Sequence, residues 1–302
     1  MKICIIQTRP GIGDMCIFLP YIHLIAKKTN SKISLVTKSR SRAKQFLFSD
    51  PYVQKIIYLD EDLKKEKLEI VKFLKQEKFN TVYIMQFGFK FYLLSKLAGI
   101  KAVFSYGFLK KNVSITGFID KKVRDWLNIS KELLEKKCKI YLKTENKEKK
   151  NIVIGIGGSG ENKKWSIENY IQLIAKLKKK FKDYKFIIAG GQEELGDAEL
   201  IKKAFGEEII SICKMNIKDS LEIIDGSRFF VGNDTGFMHL CASLNMKSFG
   251  LFGDTPSNYA EYNNDIVAVM PKGYSVVKHN DNAMELITVD HTLNIIMDKI
   301  SI

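Results

Sequence analysis

Short continuous apolar runs alternate along this chain with longer segments in which apolar residues recur every three or four positions. The runs read as strands at KICIIQ (2–7), KISLVT (32–37), KIIYL (55–59), TVYIMQ (81–86) and KAVFSY (101–106). A second series covers NIVIGIG (151–157), KFIIAGG (185–191), EEIISI (207–212), RFFVG (228–232) and SFGLFG (248–253). Helical patterns such as IENYIQLIAKL fall between them. Buried runs in strict alternation with amphipathic segments predict an α/β protein whose parallel sheets are covered by helices. The segment LKTENKEKKN (142–151) has almost nothing to bury and reads as a linker. The pattern therefore predicts one domain over 1–148 and another over 149–285. Residues 286–302 read as a C-terminal helix that returns toward the first domain. Open parallel sheets bind ligands at the carboxyl ends of their strands, so two such sheets are expected to face one another across a cleft.

A chain of 302 residues with 45% apolar content has enough core for two domains without staples. The opening MKICIIQTRP reads as a first strand, and no long uncharged apolar run is present, so a soluble cytoplasmic protein is expected. Cys4, Cys16, Cys138, Cys213 and Cys241 are scattered, mostly in apolar runs, which suits reduced core residues. No metal-ligand spacing is visible, and no metal or cofactor is expected. Charge changes the picture more. Residues 1–150 carry 32 Lys+Arg and 14 Asp+Glu, a net +18, whereas residues 151–302 carry 17 and 20, a net −3. A lysine-rich composition would raise both halves; the contrast points to an anionic partner for the first half, whether glycolipid, membrane surface or nucleic acid.

Three glycine-containing turns follow strands. In GIGGSGENKKW, Gly155, Gly157 and Gly160 have the G-x-G-x-x-G spacing, but five residues intervene before Ser166, the expected N-cap of the next helix. A dinucleotide fingerprint opens its helix within the glycines, and a Walker A loop would place a lysine where Glu161 stands, so neither fits. What remains is a turn able to bring backbone N–H groups and a lysine to an anion, or an ordinary strand-to-helix turn with solvated lysines. In VGNDTGFMHLCASLNM, Asp234 or Thr235 stands near an N-cap, leaving N–H groups of the first turn for an anion; a cap and a core-partnered His239 fit equally. In QTRPGIGDMCIFLPYIHLI, a glycine turn delivers Asp14 to a helix start, as a cap or as a proton acceptor kept ionised by the helix dipole.

Together, GIGDMCIFLP, GSGENKKWSIENYIQLI and GNDTGFMHLCASLNMKSFGLFGDTP resemble, in order and separation, the ADP-heptose:lipopolysaccharide heptosyltransferases of glycosyltransferase family 9. The D-T-G-x-x-H start followed by F-G-x-T-P is the most specific part, and the stretch from about 40 to 145 carries no matching motif. The resemblance implies a GT-B fold of two Rossmann-like domains, acceptor on the first and nucleotide sugar on the second. It also implies inverting, metal-independent transfer of heptose from ADP-heptose, a co-substrate, to the inner core of lipopolysaccharide. Carried over, Asp14 is the general base and Lys163 the diphosphate lysine, with Lys164 beside it as a second candidate. Ser159 is a hydroxyl of the same loop, Asp234 contacts the donor sugar, and Thr235, Gly236 and His239 complete the donor motif. Glu193 or Glu194 is expected at the ribose or base. An anionic acceptor of the Kdo/heptose-lipid A type would meet Arg9, Arg40, Arg42 and Arg124, with Lys44, Lys110, Lys111, Lys121 and Lys122 as further candidates. Peripheral contact with the inner membrane would follow, through the aromatic and lysine mixture GFLKKNVSITGFIDKKVRDWLNI.

Other classes explain less. Asp60-Glu61-Asp62 has the D-x-D form of a metal-diphosphate site, but it runs into LKKEKLEIVKFLKQ, where it reads more simply as the acidic first turn of a helix. A nucleic-acid binder would use the basic half and leave Asp14 and Asp234 idle. Another nucleotide sugar on the same fold is the alternative donor.

Overall fold

The structure, a computed structural model, describes residues 1–107, 115–130, 137–143, 150–158 and 160–300. It divides into two compact units, Met1–Tyr141 and Leu142–Ile302. Most of the expected linker, together with Ser159, Lys110 and Lys111, lies outside the described residues.

The first unit runs β1 (Ile3–Ile6), α1 (Ile12–Thr29), β2 (Ile33–Thr37), α2 (Ala43–Phe46), β3 (Val53–Tyr58), α3 (Lys67–Gln76), β4 (Thr81–Ile84), α4 (Lys90–Leu97), β5 (Ala102–Ser105) and α5 (Ile115–Leu127). Its five strands are parallel in the order β3-β2-β1-β4-β5. Alternate strand residues serve opposite faces. Cys4, Ile6, Val82 and Ile84 pack against Ile70 and Leu74 of α3 and Phe91 and Leu94 of α4. On the other face α1 packs against α5, and Tyr83 and Phe104 meet Trp126 of α5.

The second unit runs β6 (Asn151–Gly155), α6 (Ile167–Lys180), β7 (Lys185–Ala189), α7 (Leu195–Phe205), β8 (Ile209–Ser211), α8 (Ile217–Ile224), β9 (Ser227–Asn233), α9 (Gly236–Ser243), β10 (Lys247–Leu251), β11 (Ile266–Val269) and α10 (Val289–Lys299). All six strands are parallel, in the order β11-β10-β9-β6-β7-β8. Ser166 caps α6, its hydroxyl accepting the Asn169 N–H at 3.2 Å. The helix then buries Tyr170, Leu173, Ile174 and Leu177, the one-face spacing of an amphipathic helix. Helix α10 packs on α6 within this unit, burying Val289 and Ile296 in the same core.

All ten strands read from the apolar pattern are present, each within two residues of the expected ends. The eleventh, β11, is a four-residue run between polar turns. All five cysteines are buried and none forms a disulfide, and burial pushes the pKa of the Cys4 and Cys241 thiols well up.

Candidate functional site

Counted within each unit, the strands of the second follow the order 3-2-1-4-5-6 and those of the first 3-2-1-4-5. The order therefore reverses between β6 and β9 in one unit and between β1 and β4 in the other. Such switch points leave a crevice at the carboxyl ends of the strands, and all three glycine turns lie at these places.

In the second unit, the ends of β6 and β9 touch. A Cβ on Gly232 would stand 2.2 Å from the Gly155 carbonyl oxygen, and a Cβ on Gly155 would stand 2.3 Å from the Phe230 ring, so only glycine allows this approach. The last residue of β9, Asn233, is fully buried and knits the turns together. Its Nδ2 donates to the carbonyls of Ile156 (3.0 Å) and Gly157 (2.9 Å), and its Oδ1 accepts the Trp165 N–H (3.0 Å). The Tyr170 hydroxyl lies 2.8 Å from both Asn233 Oδ1 and the Gly155 oxygen, with one proton to share between them. Trp165 is fixed in turn by its indole N–H on the Ile287 carbonyl at 2.8 Å.

This anchoring positions the two lysines of the loop differently. Lys164 pairs with buried Glu194 at 3.2 Å, and the other carboxylate oxygen of Glu194 accepts the Gly191 N–H at 2.7 Å. Lys163 ends a short 3-10 turn, half-buried, and no carboxylate among the described residues pairs with it. Of the two ribose candidates, Glu194 is thus engaged by Lys164 and its own turn, whereas Glu193 is exposed.

Thr235 is the N-cap of α9, and its side chain makes no capping bond. The first-turn N–H groups beginning with Gly236 therefore keep the positive end of the helix dipole uncapped. Asp234 turns to His239, 3.5 Å from Nε2, while Nδ1 of that buried ring lies 2.7 Å from the Tyr262 hydroxyl. The turn after β10 closes the group: Asp254 accepts the Asn282 N–H at 3.1 Å, and Asn282 Oδ1 accepts from Asn162 of the glycine loop at 2.7 Å.

In the first unit, Asp14 is the third residue of α1, after the N-cap Gly11. Its Oδ2 accepts the Gly11 N–H at 3.1 Å, and its Oδ1 meets Arg9 Nε at 2.5 Å. The carboxylate stays partly exposed. Each oxygen keeps a lone pair for a further proton donor. Thr8 and Gln86 are hydrogen-bonded, which ties the turn after β1 to the one after β4.

The other basic candidates separate. Arg40 is the exposed residue of the turn Ser39–Ser41, and Arg42 follows at a left-handed φ of 54°. Lys44 pairs with Asp62 at 2.8 Å. Arg124 is committed to its own helix: it forks onto Asp120 at 2.8 and 3.1 Å and donates to the Ser130 carbonyl at 2.5 Å. The segment expected to rest on a membrane is also committed, in its described part. Phe118 and Trp126 of α5 pack on Tyr106 at 5.1 and 5.5 Å, inside an aromatic cluster that includes Phe87 and Tyr83. Asp60 and Asp62 precede α3 in a turn instead of opening it. Asp60 accepts the N–H and hydroxyl of Ser39 at 2.9 and 2.8 Å, and Asp62 accepts the Tyr58 N–H at 2.7 Å. Their carboxylates serve protein donors.

Sequence reasoning missed Asn233, Tyr170 and Tyr262. Asn233 was legible as a polar residue ending an otherwise buried strand; Tyr262, 23 residues from its histidine, left no local signal.

Residues 95–285 match the family described as Glycosyltransferase family 9 (heptosyltransferase). Lipopolysaccharide heptosyltransferase 1 of Campylobacter coli is 29% identical over 161 residues, 51% of this chain and 45% of that protein. Lipooligosaccharide heptosyltransferase 2 of Haemophilus influenzae is 28% identical over 105 residues, 33% of this chain and 30% of that protein. The matched stretches thus span less than half the length of these curated relatives. Among solved structures, E. coli ADP-heptose lps heptosyltransferase II superposes with a TM-score of 0.76 at 16% identity, covering 98% of both chains. E. coli heptosyltransferase WaaC with ADP gives 0.77 at 16% identity, covering 99% of both. A glycosyltransferase family 9 protein of Veillonella parvula gives 0.78 at 14%, covering 97% of this chain and 95% of that one. At these identities the structural likeness establishes the fold.

Proposed function

Because the chain belongs to glycosyltransferase family 9, we propose that it transfers a heptose from ADP-heptose to an anionic inner-core acceptor of lipopolysaccharide, with inversion and without a metal. The observation that carries this reading is the second unit's switch point. There the glycine loop, Lys163 and the uncapped start of α9 are locked beside one another by Asn233. These are the elements a diphosphate needs: an ammonium group, backbone N–H donors and a helix dipole. The solved WaaC complexes, with ADP and with ADP-2-deoxy-2-fluoro heptose, support the same class of donor.

In this reading the second unit binds the nucleotide sugar and the first the acceptor. Asp14 accepts the proton of the attacking hydroxyl as its oxygen bonds to the anomeric carbon. The bond from that carbon to the diphosphate oxygen breaks with its electron pair on ADP, whose growing charge is met by Lys163 and α9. Arg9 and the Gly11 N–H hold the Asp14 carboxylate in one orientation until the proton arrives. Asp234 and His239 line the donor side, with Thr235 and Gly236 at the helix start. Arg9, Arg40 and Arg42 supply positive charge to the acceptor.

The test offers purified protein ADP-heptose and other sugar nucleotides in EDTA, with and without a heptose-deficient core acceptor, and measures ADP release. Acceptor-dependent release without metal is expected. Asp14→Asn is expected to lower turnover by roughly 100-fold or more while ADP binding stays near that of the unmodified protein. Undiminished turnover would remove Asp14 from the chemistry, and release from a different donor alone would change the substrate.

A further inference from the structure

The Asp234 carboxylate, assigned to the donor sugar, stands at the end of a row of polar contacts that begins outside the donor motif. Tyr262 lies in the turn between β10 and β11, just after the short 3-10 turn Ser257–Ala260. It is buried, and its hydroxyl lies 2.7 Å from Nδ1 of His239. The other ring nitrogen, Nε2, faces Asp234 Oδ1 at 3.5 Å. The turn that carries Tyr262 is itself tied down: the carbonyl of the next residue, Asn263, accepts the Ile266 N–H at 3.1 Å, and its side-chain oxygen accepts the Asp265 N–H at 3.0 Å. His239 in turn belongs to the ordered backbone of α9.

Three proton patterns are open to an imidazole, and the two distances choose among them. A lone pair on Nε2 would point at a carboxylate oxygen and be repelled, so Nε2 carries a proton. Were Nδ1 protonated as well, the buried ring would be a cation, and the desolvation this costs is offset only by a close ion pair. Charge-assisted N–H···O contacts close to about 2.7–2.9 Å. His239 and Asp234 stay at 3.5 Å, whereas His23 and Asp50 in the first unit reach 2.8 Å. The remaining pattern is a neutral ring with its proton on Nε2 and a lone pair on Nδ1 that accepts the Tyr262 hydroxyl. Asp234 then faces an N–H dipole instead of a cation and keeps its full negative charge for the hydroxyls of a sugar.

We propose that Tyr262 is a positioning residue for the donor sugar: by donating to Nδ1 it holds His239 neutral, with Nε2–H turned to Asp234, and leaves the charge of that carboxylate to the sugar. The inference rests on the proposed function for the identity of the ligand; the proton pattern stands without it. When the hydroxyl is removed, the buried Nδ1 loses its donor and takes up a second proton. The ring becomes an imidazolium, closes on Asp234, and the sugar loses its acceptor. The diphosphate contacts, assigned to Lys163 and the start of α9, are not part of this row.

The test is nitrogen-15 nuclear magnetic resonance of the full chain labelled at histidine, with four histidines to separate and His239 identified by its loss in His239→Gln. At neutral pH the unmodified protein is expected to show His239 with Nε2 protonated and Nδ1 bare, and Tyr262→Phe to show both nitrogens protonated. In kinetics, Tyr262→Phe is expected to raise the KM for ADP-heptose about tenfold, while the Kd of ADP, measured by calorimetry, stays at the unmodified value. General damage to the turn would weaken both ligands alike. A protonated Nδ1 in the unmodified protein would overturn the proposal, whatever the variant does. So would an unchanged KM in Tyr262→Phe, or equal losses of ADP and ADP-heptose. Failure of the unmodified protein to transfer from ADP-heptose would count against the proposed function and leave the resonance result standing.

Discussion

Asn233 has no acid or base to offer, yet four polar groups converge on it, and every atom of its amide is matched. Replacing Asn233→Asp puts an oxygen in place of the nitrogen that faces the Ile156 and Gly157 carbonyls. A carboxylate there is repelled by two oxygens about 3 Å away, so the folded protein holds it protonated and its folded pKa rises. The introduced group is then tolerated below the ordinary carboxylate range, near pH 4, and costs stability as pH rises from there toward the folded value. The gap from the unmodified protein should widen by up to about 1.4 kcal/mol per pH unit, read as the difference in melting temperature between pH 4 and 7. A constant gap would mean that the amide does not hold the loop. Single residues were legible unevenly. Asp14, Lys163 and Asp234 stood out because charged residues beside glycine turns are visible in one dimension. The pairing of Lys164 with Glu194 was not, because it depends on two turns 30 residues apart meeting at one sheet edge.

Among elements, the strands were readable because a parallel strand buried on both faces must be a nearly unbroken apolar run, whatever surrounds it. Surface segments carry no such constraint. The aromatic residues of α5 looked amphipathic in isolation, and only their partners on β4 and β5 and in the turns just after them show that they face inward. The Asp60-Glu61-Asp62 turn is a second case: the carboxylates of Asp60 and Asp62 bind neighbouring donors brought close by folding. For Asp60, partial burial pushes the pKa up, and the N–H and hydroxyl of Ser39, with Lys65 nearby, outweigh it and leave a net lowering. A lowered folded pKa means that this carboxylate stabilises the turn above the ordinary carboxylate range. That contribution is lost as pH falls through the folded value. Ser39→Ala removes one of the bonds, so a nuclear magnetic resonance titration should find the Asp60 carboxyl shifted up toward its ordinary value. An unmoved titration would mean that the hydroxyl bond at 2.8 Å is not kept in solution.

At the level of the whole molecule, net charge and ligand charge part company. The nucleotide diphosphate is assigned to the unit whose half of the chain is net −3, and the acceptor to the half that is net +18. This is consistent, because a diphosphate is held by a few fixed donors within hydrogen-bond reach, whereas an extended anionic glycolipid or bilayer samples the summed field of a face. The division is testable without altering the protein. Each unit has its own sheet and buried core, so a ligand bound to one stabilises that unit directly. ADP at about 100 times its dissociation constant adds roughly 2.7 kcal/mol. Amides that exchange only through unfolding of the second unit should then slow by about 100-fold. Hydrogen exchange on the full chain should place this protection in β6, β9 and α6, while β1, β2 and β4 exchange at nearly their former rates. Equal protection of both sheets would mean that ADP does not distinguish the units, and the assignment of donor to the second would fall. Protection confined to the first sheet would reverse the roles of Asp14 and Lys163 altogether.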